Sequence, residues 1–173
     1  LANNPDNEPM IQYGDFVEIN LLVENVGTMN TNAINLTLSS NDEYITIVDD
    51  ESMIAYAIAG AIAETENSFS FSVSNNVPDG HLATFEALLD DGDSQWSIAF
   101  NVEIHAPVFE ILNPEIVDDN MDGVWDPGEM ATINVDLVNS GSAGFGYYPG
   151  ATISTDNPYI TILSGENTNT FYA

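Results

Sequence analysis

Twelve residues, DDNMDGVWDPGE from Asp118 to Glu129, gather four Asp, one Asn and one Glu in a single short stretch. Their spacing meets the calcium-loop pattern D-x-[DN]-x-[DN]-G-x5-E. Asp118, Asn120, Asp122, Gly123 and Glu129 fill every specified position. The chemistry sets the spacing. Ca2+ is a hard cation that takes about 6–8 oxygen ligands. Side chains at alternate positions, Asp118, Asn120 and Asp122, turn inward together as the chain wraps. Gly123 permits a sharp turn, and Val124 offers its backbone carbonyl. Asp126 falls where a water commonly mediates, and Glu129 closes the set bidentately. Mg2+ demands stricter octahedral geometry and keeps its waters, so it fits less well. The expected site is therefore Ca2+ held by Asp118, Asn120, Asp122, Val124, Asp126 and Glu129. The alternative is an acidic surface turn with no ion.

An aligned stretch, NPDNEPMIQYGD from Asn4 to Asp15, carries Asn4, Asp6, Glu8 and Asp15 at the corresponding positions 1, 3, 5 and 12. Pro9 replaces the turn glycine, and proline cannot adopt a left-handed turn. This segment reads as a degenerate loop.

The whole chain sharpens the question of a counter-ion. It has 173 residues, 28 Asp plus Glu, no Lys and no Arg, for a formal charge of -28. Ordinary usage would supply about 20 basic residues. No Lys or Arg salt bridge is available, and self-repulsion opposes the compact state. Nucleic acid and anionic membrane surfaces are excluded as partners, because both need basic patches. The chain is nonetheless 44% hydrophobic and 10% aromatic, enough to bury a core. Cysteine is absent, so no disulfide contributes. The longest apolar run, MIAYAIAGAIA (Met53 to Ala63), is too short for a membrane span and reads as a buried strand and turn.

The elements that must position the loop read as strands. Its flanks, VFEILNPEIV and MATINVDLV, are strand-like rather than helical, so an EF-type loop between β-strands is expected. An internal repeat supports this. YGDFVEINLLVENVG (Tyr13 to Gly27) aligns with PGEMATINVDLVNSG (Pro127 to Gly141) at an offset of 114 residues. SSNDEYITIV (Ser39 to Val48) aligns with STDNPYITIL (Ser154 to Leu163) at an offset of 115. A unit of about 114 residues fits one β-sandwich module. Period-2 alternation runs through FVEINLLVEN, NAINLTLSS, SFSFSV, LATFEALL and QWSIAFNVEI. Phe69, Phe71 and Val73 are expected to point inward with the intervening serines outward. Trp96 alternates with Ile98 and Phe100 and is expected in the core. VPDG and DDGD are turns, and no amphipathic helix is evident.

The expected fold is all-β, tandem immunoglobulin-like β-sandwich modules. Residues 1–105 form module 1, whose first strand is missing. Residues 106–173 form module 2, truncated at its C-terminal end. Cut modules leave unpaired strand edges that invite pairing with another chain.

His81 and His105 lack a Cys, a nearby second His or a nucleophile motif, and read as structural. Asp90, Asp91 and Asp93 form a solvated turn rather than an ion site. GFGYYPG (Gly144 to Gly150) offers Phe145, Tyr147 and Tyr148 as a carbohydrate platform, with a hairpin turn as the plainer reading. No catalytic residue is identified.

The blocks VPDGH, SQWSIAFNVEIHAPVFEI, DDNMDGVWDPGE and LVNSG together resemble the immunoglobulin-like modules of large secreted surface proteins of Bacteroidetes-type bacteria. These include modules trailing gingipain-type cysteine peptidases. The resemblance implies a secreted or cell-surface location and a spacer or adhesion role. No peptidase motif is present to carry activity over. The sequence therefore points to a non-enzymatic, calcium-stabilised structural or adhesion module of a larger surface protein. Its expected partners are neighbouring modules of the same protein, other surface proteins, glycans or identical subunits, without direct membrane insertion. The alternatives are an accessory region of a secreted peptidase, a filament-forming subunit and a carbohydrate-binding module.

Overall fold

The computed structural model describes residues 10–144 and 152–163. The chain divides into two compact units, Leu1–Ala106 and Pro107–Ala173. All regular structure among the described residues is β, and no helix is long or apolar enough to cross a membrane.

The first unit is a β-sandwich. One sheet has the order β1-β10-β9-β4-β6, from Ile11–Gln12, Gln95–His105, His81–Asp90, Ile34–Ser39 and Glu51–Ile54. The facing sheet has the order β2-β8-β5, from Phe16–Ile19, Phe69–Val73 and Ile45–Asp49. A short ribbon pairs β3 (Leu22–Glu24) with β7 (Ile62–Glu64) and continues the β2–β8 pairing beyond a break at Asn20–Leu21. The stretch FVEINLLVEN is thus two strands rather than one. Thr65 causes the break, because its hydroxyl takes the Leu21 N–H at 3.2 Å.

Alternation explains the core. Val17 and Ile19, the three residues Ile34, Leu36 and Leu38, and Ala83, Phe85, Ala87 and Leu89 each present one buried face per strand. Phe71 and Phe85 meet with ring centroids 4.9 Å apart, and Phe85 stacks on Phe100 at 5.5 Å. Each buried Phe contributes about 1.5–3 kcal/mol relative to an exposed one.

Three expectations need correction. Trp96 does face inward, paired with Leu89, yet it is 42% exposed. Strands β9 and β10 span 10 and 11 residues, whereas the opposing β2 and β5 have 4 and 5, so the end of the hairpin overruns its cover. Ser70 is buried rather than outward. It lies on the middle strand, flanked by the longer side chains of Glu18 and Asp49. The run Met53 to Ala63 buries Ile54 and Ala57 but exposes Tyr56, Ile58 and Ile62, because it leaves the sheet after Ile54.

The second unit contains one hairpin, β11 (Phe109–Asp118) with β12 (Ala131–Asn139). Its ladder slips between Leu112 and Glu115. Pro114 has no N–H to contribute, and Asn113 absorbs the irregularity at φ 49°.

The repeat recurs hydrogen bond by hydrogen bond. Gly27 N–H donates to Asn25 Oδ1, and Gly141 N–H to Asn139 Oδ1. Asn25 Nδ2 donates to the Met29 carbonyl at 2.8 Å, and Asn139 Nδ2 to the Ala143 carbonyl at 2.9 Å. Tyr44 N–H donates to Asp42 Oδ1, and Tyr159 N–H to Asn157 Oδ1. The regular structure differs, however. Ile45–Asp49 forms β5 against β8, while residues 159–162 are not in a strand. The same local sequence becomes a strand only where a neighbouring strand receives its backbone.

Candidate functional site

The acidic loop begins where β11 ends at Asp118 and closes just before β12 begins at Ala131. This is the strand-flanked setting expected from the sequence. Asp118 is 5% exposed, at the base of the loop. Its Oδ2 accepts the N–H groups of Asp122 and Gly123, both at 3.2 Å. Asn120 Oδ1 shares the Asp122 N–H at 2.8 Å, and Asp122 Oδ1 accepts that of Val124 at 2.9 Å. Asn120 Nδ2 donates to Glu129 Oε1, which joins the start of the loop to its end. Glu129 Oε2 accepts the Asp126 N–H at 2.9 Å, and Trp125 Nε1 donates to the Glu129 carbonyl at 3.3 Å. Positions 1, 3, 5 and 12 are therefore linked in one ring.

Two backbone positions make this wrapping possible. Met121 and Gly123 adopt φ values of 59° and 82°. The second is the turn for which glycine was specified, since it needs no Cβ. Met121 takes a conformation that side chains disfavour, and the sequence gave no sign of it.

The donor set fits a hard cation. Every contributing group is an oxygen, and four of the six predicted ligands lie in the hydrogen-bonded ring. Asp118 Oδ1 and Asp122 Oδ2 take no hydrogen bond among the described residues. Among those residues no three His, Asp or Glu side chains meet as a ready-made metal cluster. The carboxylates are spaced by the loop's own N–H groups, and position 3 is an amide.

The first repeat keeps the closing turn of this loop. Asp15 stands where Glu129 does, and its Oδ2 accepts the Gln12 N–H at 2.8 Å, as Glu129 accepts that of Asp126. Gly14 and Gly128 have φ values of 75° and 93°. Gln12 thus keeps the backbone role of Asp126 without its carboxylate. Asn4, Asp6 and Glu8 lie outside the described residues, as do Phe145, Tyr147 and Tyr148.

The sequence reading missed one ionic contact. His81 Nε2 lies 2.7 Å from Asp42 Oδ2, and Tyr44 packs edge-on against the imidazole at 4.9 Å. Burial pushes the Asp42 carboxyl up. The Tyr44 N–H and the His81 ring outweigh that and hold it below its ordinary value. Ser40 is close in the chain, but its hydroxyl donates to the Thr84 carbonyl at 2.7 Å and accepts the Asp42 N–H. That orientation ties down a loop and leaves no activated nucleophile. The partners are 39 residues apart with no motif joining them. Asp90 is also held low, by Gln95 and the Gly92 N–H, within a turn that Asp91 closes onto Asp93 and Ser94.

No family model and no curated protein matches the chain. Among solved structures, the chaperone-tip adhesion subunit pre-assembly complex CsuC-CsuE, from archaic chaperone-usher Csu pili of Acinetobacter baumannii, is 12% identical. That likeness covers 76% of this chain and 68% of the other, with a TM-score of 0.25. The β-sandwich assignment rests on the sheets of the first unit.

Proposed function

We propose that this protein is a non-enzymatic structural or adhesion module of the extracellular or cell-surface kind, stiffened by calcium at Asp118–Glu129. The observation that carries the reading is the ring joining Asp118, Asn120, Asp122 and Glu129. It supports a ligand set of those four side chains with Asp126 and the Val124 carbonyl. A bound Ca2+ would supply positive charge in a chain with no Lys or Arg. The loop residues themselves fix the turn between β11 and β12, and the carboxylates relieve their mutual repulsion only with a counter-ion. The surface location rests on the resemblance of VPDGH, DDNMDGVWDPGE and LVNSG to modules of secreted bacterial proteins. A spacer or adhesion role fits a β-sandwich whose His81 and Ser40 are committed to structure.

A thermal melt in EDTA and across a Ca2+ titration tests this, with Asp122→Ala beside the parent. A rise in Tm with Ca2+ that the variant lacks supports the proposal. An equal response in both, or none, leaves the stretch a solvated turn.

A further inference from the structure

We propose that the β2–β3 edge of the first unit accepts an extended strand of the β11 kind from another polypeptide, completing its sandwich. The second repeat shows the occupant in place. β12 aligns with β2–β3 at the 114-residue offset, and β11 lies along β12.

Backbone parity gives the register. In β2–β3 and its flanks the odd-numbered residues are turned toward β8 and β7. Asp15 accepts from Val73, Leu21 from Thr65, and Asn25 from Gly60. Backbone direction alternates along a strand. Glu18, Asn20, Leu22 and Glu24 therefore turn their N–H and C=O groups to the opposite side. No described strand lies there, since β2 is the edge of its sheet. Their counterparts in the second repeat are Thr132, Asn134, Asp136 and Val138, which stand opposite Val117, Glu115, Leu112 and Glu110 of β11. Ser140, two residues further on, donates its N–H to the Val108 carbonyl at 2.8 Å, which shows the even-numbered groups facing β11.

The side chains agree with the backbone. Phe109, Ile111 and Ile116 stand opposite Asn139, Leu137 and Ile133, which correspond to Asn25, Val23 and the buried Ile19 of the first unit. A β11-type strand thus turns three apolar residues toward the core. An apolar surface awaits them. Gln12 and Phe16 are separated by a three-residue turn, so β2 begins over the β1–β10 side of the sandwich. Inward-facing Trp96 and Ile98 of β10 are 42% and 48% exposed on that side. Asn20 Oδ1, on the same edge, is the one enclosed polar side-chain atom among the described residues without a hydrogen-bond partner. An open edge of this kind pairs through main-chain bonds and selects through alternate side chains.

The test uses the intact chain and a synthetic peptide, Pro107 to Val117, at physiological salt. Amide exchange by NMR and Trp96 emission in a Trp125→Phe background report binding. The expected result is a 1:1 complex that protects the amides of Glu18, Leu22 and Glu24 at least tenfold and shifts Trp96 emission to the blue. N-methylation at Glu110 or Leu112 should abolish it, and N-methylation at Ile111 should not. No binding up to millimolar peptide overturns the proposal. So does binding indifferent to the methylated position, or protection confined to β12. Calcium is not required for any of these outcomes.

Discussion

The imidazole of His81 sits 2.7 Å from the carboxylate of Asp42, joining the loop before β5 to the start of β9. Each partner is mostly covered, at 26% and 11% side-chain exposure. The contact therefore closes one end of the sandwich across 39 residues of sequence.

Asp42 has a lowered pKa, so the folded state binds fewer protons than the unfolded state near its ordinary value of 3.8. Its contribution to stability is present above that pH and is lost as pH falls through the folded value. Protonation of the other acids relieves repulsion and acts in the opposite direction. The informative quantity is the difference between the parent and Asp42→Asn. That difference is expected to be about 1 kcal/mol at pH 7 and to shrink below pH ~4. Urea melts at several pH values measure it, and parallel acid profiles would refute the assignment.

Calcium at a hundredfold excess over Kd is expected to stabilise the fold by about 2.7 kcal/mol. Asp118→Asn and Asp122→Ala should each remove most of that gain. Scanning calorimetry with and without EDTA reads the effect. Trp125 emission follows the same titration, because its indole is tied to Glu129.

Gly14 and Gly80 both have positive φ, at 75° and 71°. A Cβ at Gly14 would lie 2.5 Å from Asn75 Oδ1, whereas one at Gly80 meets nothing within 4 Å. Gly80→Ala is expected to cost about 1 kcal/mol from backbone strain alone. Gly14→Ala should cost more, about 2 kcal/mol, since Asn75 must also move. Equal costs in denaturant melts would show that Asn75 yields freely.

Two aromatic residues on facing strands should behave oppositely. Phe85 is fully buried, so Phe85→Ala is expected to cost about 3–5 kcal/mol. Trp96 is largely uncovered, so Trp96→Ala should cost about 1 kcal/mol or less in the isolated chain. A Trp96→Ala cost near that of Phe85→Ala would mean that the end of the β9–β10 hairpin is already covered.

Period-2 patterning around Ile34–Leu38 and Ala83–Leu89 was enough to read the strands and their inward faces. The spacing of Asp118, Asn120, Asp122, Gly123 and Glu129 was enough to read a loop that wraps on itself, because ligand spacing and turn chemistry are both local. The repeat was legible too, and its recurring hydrogen bonds at Asn25 and Asn139 follow from the same short sequences. Burial was not local. Trp96 alternates as a core residue should, yet it is exposed because the opposing strands end before reaching it. The two Y-I-T-I segments share their turn bonds, but only Ile45–Asp49 becomes a strand, because only it has β8 beside it. The contact of His81 with Asp42 likewise depends on the sheets bringing distant segments together. Sequence by itself determined what each segment presents. Only the tertiary structure decided which presentations were met, because burial and pairing need a partner that local sequence does not contain.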